Sequence, residues 1–147
     1  MRFETIAPAQ IPALRQHVHR FATFMGYDEA VDAFLAAASI VRWDLSDRIM
    51  DRQGGATGLV FVAEGQVSLG FPGGGDPETT FGQGTVVAVM DLGEGEATPT
   101  VDAREPGWGF HITASAFDDF SRLHPGVQRR LGRLLRMQYR RATNLNL

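Results

Sequence analysis

Hydrophobic residues recur at helical spacing near the start of the chain. Apolar positions three and four residues apart predict a helix that begins near Pro12 and ends at Gly26. Asp28 is a suitable N-cap for a second helix. The apolar positions of the two helices are Ile11, Leu14, Val18, Phe21, Ala22, Met25, Val31, Phe34, Leu35 and Ala38. We therefore interpret residues 1–39 as an N-terminal helical segment.

The pattern changes at Ile40, where short apolar runs alternate with turns rich in glycine and proline. Short strands at such spacing are typical of an antiparallel sandwich or barrel, so the sequence predicts a β-roll. The runs are Ile40–Trp43, Ile49–Met50, Leu59–Val62, Val67–Phe71, Thr85–Met90, Thr100–Ala103 and Trp108–Ile112.

Helical spacing returns at the C-terminal end. Thr113 or Ser115 is expected to cap a short helix that ends at Leu123. A longer helix is predicted after Pro125, with an apolar face opposite an arginine face. The apolar positions are Val127, Leu131, Leu134, Leu135 and Ala142, and the arginines are Arg129, Arg130, Arg133, Arg136, Arg140 and Arg141. The fold class that follows is α+β, with residues 40–147 completing one domain.

Composition restricts the classes of protein to which the chain can belong. A chain of 147 residues fits one domain, and the absence of cysteine excludes disulfides, thiol catalysis and cysteine-ligated zinc. No apolar run approaches the length of a membrane span and no signal peptide is recognisable, so a cytoplasmic location is expected. All 14 basic residues are arginine. Seven of them follow the last acidic residue, Asp119, whereas the preceding body carries 17 acids against 7 arginines.

Candidate catalytic and metal-ligating patterns are weak. The only His-x-His pair, His17 and His19, lies on a predicted helix, where the two rings point in different directions. No Gly-x-Ser-x-Gly nucleophile motif occurs. We therefore expect no enzyme activity, no metal and no cofactor.

A longer motif connects the first strands of the roll. Its parts are, in order, Leu45, Ile49-Met50, the strand Gly58–Val62, Glu64-Gly65 and the strand Val67–Leu69. Glycines at the corners allow the chain to reverse direction. In order and spacing, this segment resembles the first half of a cyclic nucleotide-binding domain.

The second half agrees with that resemblance. Gly84–Val87 resembles the strand that leads into the family's phosphate-binding cassette, and Thr100–Ala103 resembles the strand that leaves it. Ala116–Pro125 and the arginine-rich helix resemble the helices that close the domain. The resemblance implies an antiparallel β jelly roll, or double-stranded β-helix, with flanking helices and a regulatory or ligand-sensing role in a bacterial protein.

The resemblance fails at the charged contacts of the cassette. In the family, a glutamate accepts a hydrogen bond from the ribose 2′-hydroxyl and an arginine pairs with the cyclic phosphate. In this chain the two positions align with Val89 and Ala97, while Glu94 and Glu96 bring negative charge. The predicted degenerate ligand site consists of Ala88, Val89, Met90, Ala97, Thr98 and Thr100. We therefore expect cAMP and cGMP to bind very weakly or not at all.

Three functions stay open. The first is a regulatory domain that acts through a protein partner, such as a transporter regulated in trans, or through a less polar ligand. The second is a true nucleotide receptor that uses substitute contacts such as Thr98, Thr100 or Arg104. The third is a peripheral module, driven by the arginine face, that binds a membrane or a nucleic acid or docks on a partner.

The arginine face defines the expected interaction surface, formed by Arg129, Arg130, Arg133, Arg136 and Arg140. A homodimer through Val127, Leu131 and Leu134 is an alternative use of the same helix. No helix-turn-helix pattern is found, so sequence-specific DNA binding is not expected.

Overall fold

The computed structural model describes residues 1–51, 56–70, 80–89 and 99–144, with side chains as far as Gln138 in the last helix. The helices are α1 (Ile11–His19), α2 (Asp28–Ala37), α3 (Ala114–Leu123) and α4 (Pro125–Asn144). The strands are β1 (Arg2–Thr5), β2 (Ser39–Trp43), β3 (Arg48–Met50), β4 (Gly58–Glu64), β5 (Val67–Gly70), β6 (Thr80–Phe81), β7 (Val86–Val89), β8 (Thr100–Ala103) and β9 (Gly107–Ile112).

The described strands form two antiparallel sheets that face each other. The larger sheet has the order β1-β2-β9-β4-β7, and the smaller has the order β3-β8-β5-β6. The α+β fold with an antiparallel β-roll, predicted from the sequence, is confirmed. Among the described residues, no helix is both long enough and apolar enough to cross a membrane.

The larger sheet is buried on both faces at β4 and β7. In β4, Val60 and Val62 point into the space between the two sheets, whereas Leu59 and Phe61 point toward the helices. Because strand side chains alternate between faces, this strand is a continuous apolar run rather than an alternating one. The sheet therefore separates two apolar cores.

An aromatic cluster fixes the helices to the outer face of the larger sheet. Phe34 of α2 lies with its ring centroid 4.8 Å from that of Phe61 and 6.1 Å from that of Phe110. Phe24 and Phe120 contact the same group, mostly in edge-to-face or tilted arrangements that aromatic rings prefer. Through Phe120, the cluster also positions the end of α3 and therefore the start of α4.

Most predicted elements are confirmed, including the buried face of α2 and the Thr113 cap, whose Oγ1 accepts a hydrogen bond from the Ala116 amide at 3.2 Å. The first helix is shorter than predicted. It ends at His19, and an extended residue at Phe21 leads into a 3-10 turn, Ala22–Phe24. This break buries Phe21 and Phe24 while leaving Met25 exposed. The strands β1 and β6 were not predicted.

Two glycines show that the larger sheet and α4 differ in their tolerance of an added side chain. A Cβ at Gly109, in the centre of β9, would lie 2.1 Å from the Phe61 carbonyl oxygen of the neighbouring strand. A Cβ at Gly132, on α4, would meet only Arg136 Nη1 at 3.5 Å, which is an ordinary contact.

Opposite effects are therefore expected from the same substitution at these two glycines. Gly109→Ala should lower the free energy of unfolding by about 2 kcal/mol or more, because backbone must move. Gly132→Ala should raise it by up to about 1 kcal/mol, because alanine favours the helix. Urea melts of both variants measure the difference, and equal effects would contradict the close packing of β9 on β4.

Candidate functional site

The predicted ligand site lies where β7 ends and β8 begins. Val89 is opposite Gly58 in the larger sheet, and Thr100 is opposite Gly70 in the smaller one. Met90, Ala97 and Thr98 lie outside the described residues. The structure thus places Ala88, Val89 and Thr100, and the assignment of all six to a ligand site stays a prediction.

Val89 points into the interior of the roll. Its side chain is 0% exposed and belongs to a core between the two sheets. That core consists of Val41, Trp43, Ile49, Met50, Val60, Val62, Val67, Leu69, Phe81, Val87, Val89, Val101 and Ala103. No member of this cluster carries a charge, so an ionised carboxylate at this position would lose its water without gaining a partner there.

Ala88 has the opposite orientation, packing on the helix side of the larger sheet with Val86. Two neighbouring residues of the predicted cassette therefore serve two different cores. A ligand between the sheets would meet Val89 and not the Ala88 side chain.

The proposed substitute contacts lie on a different face. In β8 the buried residues Val101 and Ala103 point inward, so Thr100 shares the outer face of the smaller sheet with Asp102. Arg104 follows at the other end of that strand, about 13 Å from Thr100 along an extended chain. Its Nε donates to Ser68 Oγ at 3.1 Å. Thr100 and Arg104 thus do not converge beside Val89.

Charges on the outer face of the smaller sheet neutralise one another. Arg48 Nε donates to Asp102 Oδ1 at 2.8 Å, and Nη1 donates to Asp51 Oδ2 at 3.3 Å. The hydrogen bond and the charge of Asp102, with a smaller contribution from Asp51, raise the pKa of Arg48 above its ordinary value. This guanidinium is committed to its own chain and is not free to pair with a phosphate.

The four histidines are dispersed. His17 packs edge-on against Trp108 with ring centroids 4.9 Å apart, and His111 Nε2 lies 2.7 Å from the Thr57 carbonyl oxygen. His19 lies near Asp28, and His124 packs against Phe120. Within the described ranges, no group of three or more His, Asp or Glu side chains is arranged to hold a metal ion.

The apolar side of α4 is already occupied by its own chain. Val127 and Leu131 are 0% and 2% exposed and belong to the core beneath the helices. The homodimer interface predicted through Val127, Leu131 and Leu134 is therefore wrong for its first two members, because their side chains are not available. Leu134 is half-buried.

One arginine of the predicted interaction surface turns inward. Arg130 donates to the carbonyl oxygens of Met25 and Ala22, and its guanidinium lies 4.8 Å from the centroid of the Tyr27 ring. It holds α4 against the 3-10 turn, and its assignment to the interaction surface stays a prediction. Arg129, Arg133 and Arg136 remain exposed, and the Arg140 side chain lies outside the described part.

A groove of about 330 Å³ runs between the 3-10 turn, the β6–β7 turn and the second half of α4. Its described lining includes Thr23, Val86, Leu134 and Gln138, with no charged side chain among them. Thr23 Oγ1 is buried without a hydrogen-bond partner, whereas Gln138 Nε2 donates to the Val86 carbonyl at 2.9 Å. This groove was not predicted, since its walls are distant in the chain. It does not suit a phosphate.

No protein family and no curated protein matches this sequence. Solved structures do match its fold. A structure described as Sp-2Cl-cAMPS bound to PKAR CBD2 has a TM-score of 0.72 at 11% identity, over 94% of this chain and 93% of the other. A cyclic nucleotide-binding domain from Methylobacillus flagellatus has a TM-score of 0.67 at 17% identity, over 92% and 82%.

A third neighbour is the regulatory subunit of a cAMP-independent protein kinase A from Trypanosoma cruzi, bound to guanosine. It has a TM-score of 0.66 at 18% identity, and the match covers 85% of this chain but only 46% of the other. These neighbours confirm the resemblance: the chain has the fold of a cyclic nucleotide-binding domain.

The burial of Val89 can be tested by placing the family's acid there. Val89→Glu should lower the free energy of unfolding by about 3 kcal/mol or more at pH 7. Burial raises the pKa of an inserted carboxyl group above its unfolded value near 4.3, so the loss should shrink as the pH falls toward about 4.

Thr100→Glu is the matched control, because Thr100 borders the same cassette on an outer face. It should cost less than about 1 kcal/mol. Urea melts at both pH values measure the two losses. A Val89→Glu variant as stable as the control at pH 7 would mean that Val89 borders an open, wet hollow.

Proposed function

We propose that this chain is a non-enzymatic regulatory domain that acts through a protein partner and takes neither cAMP nor cGMP by the family's charged contacts. The observation that carries the proposal is the Val89 side chain, which is fully buried among apolar neighbours where the resemblance expects a carboxylate. A regulatory role in the cytoplasm is part of the same proposal.

The size of the lost interactions supports weak nucleotide binding. A hydrogen bond to a charged group contributes about 1.5–3 kcal/mol, so two such contacts account for about 3–6 kcal/mol. Their absence corresponds to a loss of roughly a hundredfold to ten-thousandfold in affinity. A receptor with a Kd near 10 µM would thereby bind with a Kd of about 1 mM or weaker.

The alternative receptor, with substitute contacts, has less support. Thr100 lies on the outer face of the smaller sheet, and Arg104 is bonded to Ser68 at the far end of β8. Neither side chain is directed toward the interior at Val89, and Thr98 lies outside the described residues.

The trypanosome neighbour is consistent with a regulatory domain of this fold that does not respond to cAMP. That protein is described as cAMP-independent and bound to guanosine, which lacks a phosphate. It supports the view that a cyclic nucleotide-binding fold can serve a regulatory protein without cAMP.

The N-terminal segment and the roll are treated as one regulatory unit in this proposal. Residues 2–5 extend the larger sheet by pairing with β2, for example Phe3 with Val41. Arg15 on α1 is joined to Asp32 on α2 through two hydrogen bonds of 2.7 and 2.8 Å, and the bonded guanidinium lowers the pKa of Asp32. The pairing of β1 with β2 supports a domain that includes residues 1–39 as well as the roll, and the ion pair holds α1 on α2 within the first segment.

Thermal unfolding in the presence of nucleotide tests the proposal. A receptor with Kd near 10 µM would gain about 2.7 kcal/mol at 1 mM ligand, because the ligand is then at about 100 times Kd. For a domain of this size, that gain raises Tm by roughly 5–10 °C. We expect a rise below about 1 °C with cAMP or cGMP.

Arg104→Ala is the informative companion variant. A rise of several degrees in the unmodified chain that disappears in Arg104→Ala would overturn the proposal in favour of a receptor with substitute contacts. A rise that persists in both would overturn it in favour of a nucleotide site elsewhere in the fold.

A further inference from the structure

We propose that Arg129, Arg133 and Arg136, which we call the arginine stripe, form a docking surface for an acidic helical segment of a partner protein. This docking surface rests on the proposed function, because it names the chemistry of the partner through which the domain acts. It lies on the exposed face of α4 and not in the interior of the roll.

The three side chains form one line along the helix. At 100° per residue they fall within an arc of about 60°, and they span about 10.5 Å of helix axis. All three are exposed. Arg130 lies on a different side and is bonded to backbone carbonyls, so it is not part of the stripe.

The stripe differs from several other arginines in having no ion-pair or hydrogen-bond partner among the residues that the structure describes. Elsewhere in the described part of the chain, arginines are commonly paired: Arg15 with Asp32, Arg42 with Glu4, Arg48 with Asp102 and Arg122 with Asp119. Among the described residues, no ion pair or hydrogen bond is formed by Arg129, Arg133 or Arg136. Like charges three and four residues apart destabilise a helix, and an anionic partner would relieve that repulsion.

Gly132 opens a notch within the stripe. It lies between Arg129 and Arg136, in the floor of an open groove of about 630 Å³ lined by Gln128, Gly132 and the three arginines. Glycine is unfavourable in a helix interior, and nothing in the packing requires it, since a Cβ there would make only an ordinary contact. The notch allows a partner backbone to approach α4 closely.

Carboxylates are the groups that this surface would recognise. The planar guanidinium donates two parallel hydrogen bonds to a carboxylate, a geometry that lysine cannot offer. Successive arginines on the stripe are about one helical turn apart, so glutamates at positions i, i+4 and i+7 of a partner helix would meet them.

A membrane or a nucleic acid fits this surface less well. A helix that lies on a membrane inserts its apolar face, but Val127 and Leu131 of α4 are buried in the protein core. The chain up to Asp119 carries 17 acids against 7 arginines, so a polyanion with many phosphates would be repelled beyond the stripe. A short acidic segment avoids that repulsion.

The test uses the full chain and a fluorescent synthetic helical peptide of about 16 residues with glutamates at i, i+4 and i+7. Fluorescence anisotropy at about 50 mM salt should show saturable binding, weakened as salt is raised to about 300 mM. The double variant Arg129→Gln/Arg133→Gln should weaken binding about tenfold. Arg2→Gln/Arg20→Gln, which changes the net charge equally at exposed sites outside the stripe, should change it less than about twofold.

A charge exchange between Arg133 and the peptide tests whether the contact is specific. Arg133→Glu should weaken binding of the peptide further. A peptide with one glutamate replaced by lysine should restore binding to that variant. Absence of peptide binding, or equal losses in the two double variants, would overturn the proposal. Tighter binding to vesicles containing about one-quarter phosphatidylserine, or to a duplex of about 20 base pairs, would overturn it in favour of that ligand.

The outcome is separable from the test of the proposed function. Failure of the peptide with no nucleotide-induced rise in Tm would remove the stripe as the docking site and leave the regulatory domain in place. A nucleotide-induced rise in Tm with stripe-dependent peptide binding would remove only the proposal on nucleotides.

Discussion

Burial of β4 and β7, the inner part of the larger sheet, on both faces is the constraint on which the rest of this structure depends. Its alternating side chains fill two separate cores, so a shift of one residue would exchange the sets of β4 and β7 between them. With the observed register, Val87 and Val89 close the interior of the roll, while Val86 and Ala88 support the helices. The core between the larger sheet and the helices determines the position of α4, and therefore which face of α4 is exposed to solvent.

The sequence pattern was sufficient for elements whose signals are local. Apolar runs bounded by turn residues located most strands, and Thr113 was identified as a cap from its position before a helical pattern. Features that depend on distant partners were missed. The pairing of β1 with β2 joins residues about 40 positions apart, and a helical wheel of α4 could not show that Arg130 would meet the carbonyls of Ala22 and Met25. For the same reason, the helical wheel could not distinguish a dimer interface on α4 from a face that the chain buries in its own core.

The candidate site shows the same division between local and tertiary information. Alignment to the family's cassette located Val89 and Thr100 on adjoining strand ends, but only the two sheets reveal that one side chain points inward and the other outward. The chain therefore has the fold of a cyclic nucleotide-binding domain, with an apolar side chain, Val89, where the resemblance expects the acid. The arginines of the stripe, which have no partner in the described part of the chain, lie on the outer face of α4. Under the proposed function, this domain exerts its regulatory effect through a surface that binds a partner protein.

The most direct test locates any nucleotide within the fold. In methyl NMR spectra of the chain with labelled valines, we expect the signals of Val60, Val87, Val89 and Val101 to keep their positions when cAMP is added to about 0.1 mM, since a site with a Kd of about 1 mM or weaker is then less than about one-tenth occupied. Saturable shifts confined to those interior methyl groups at micromolar cAMP would contradict a closed apolar interior and make the chain a nucleotide receptor.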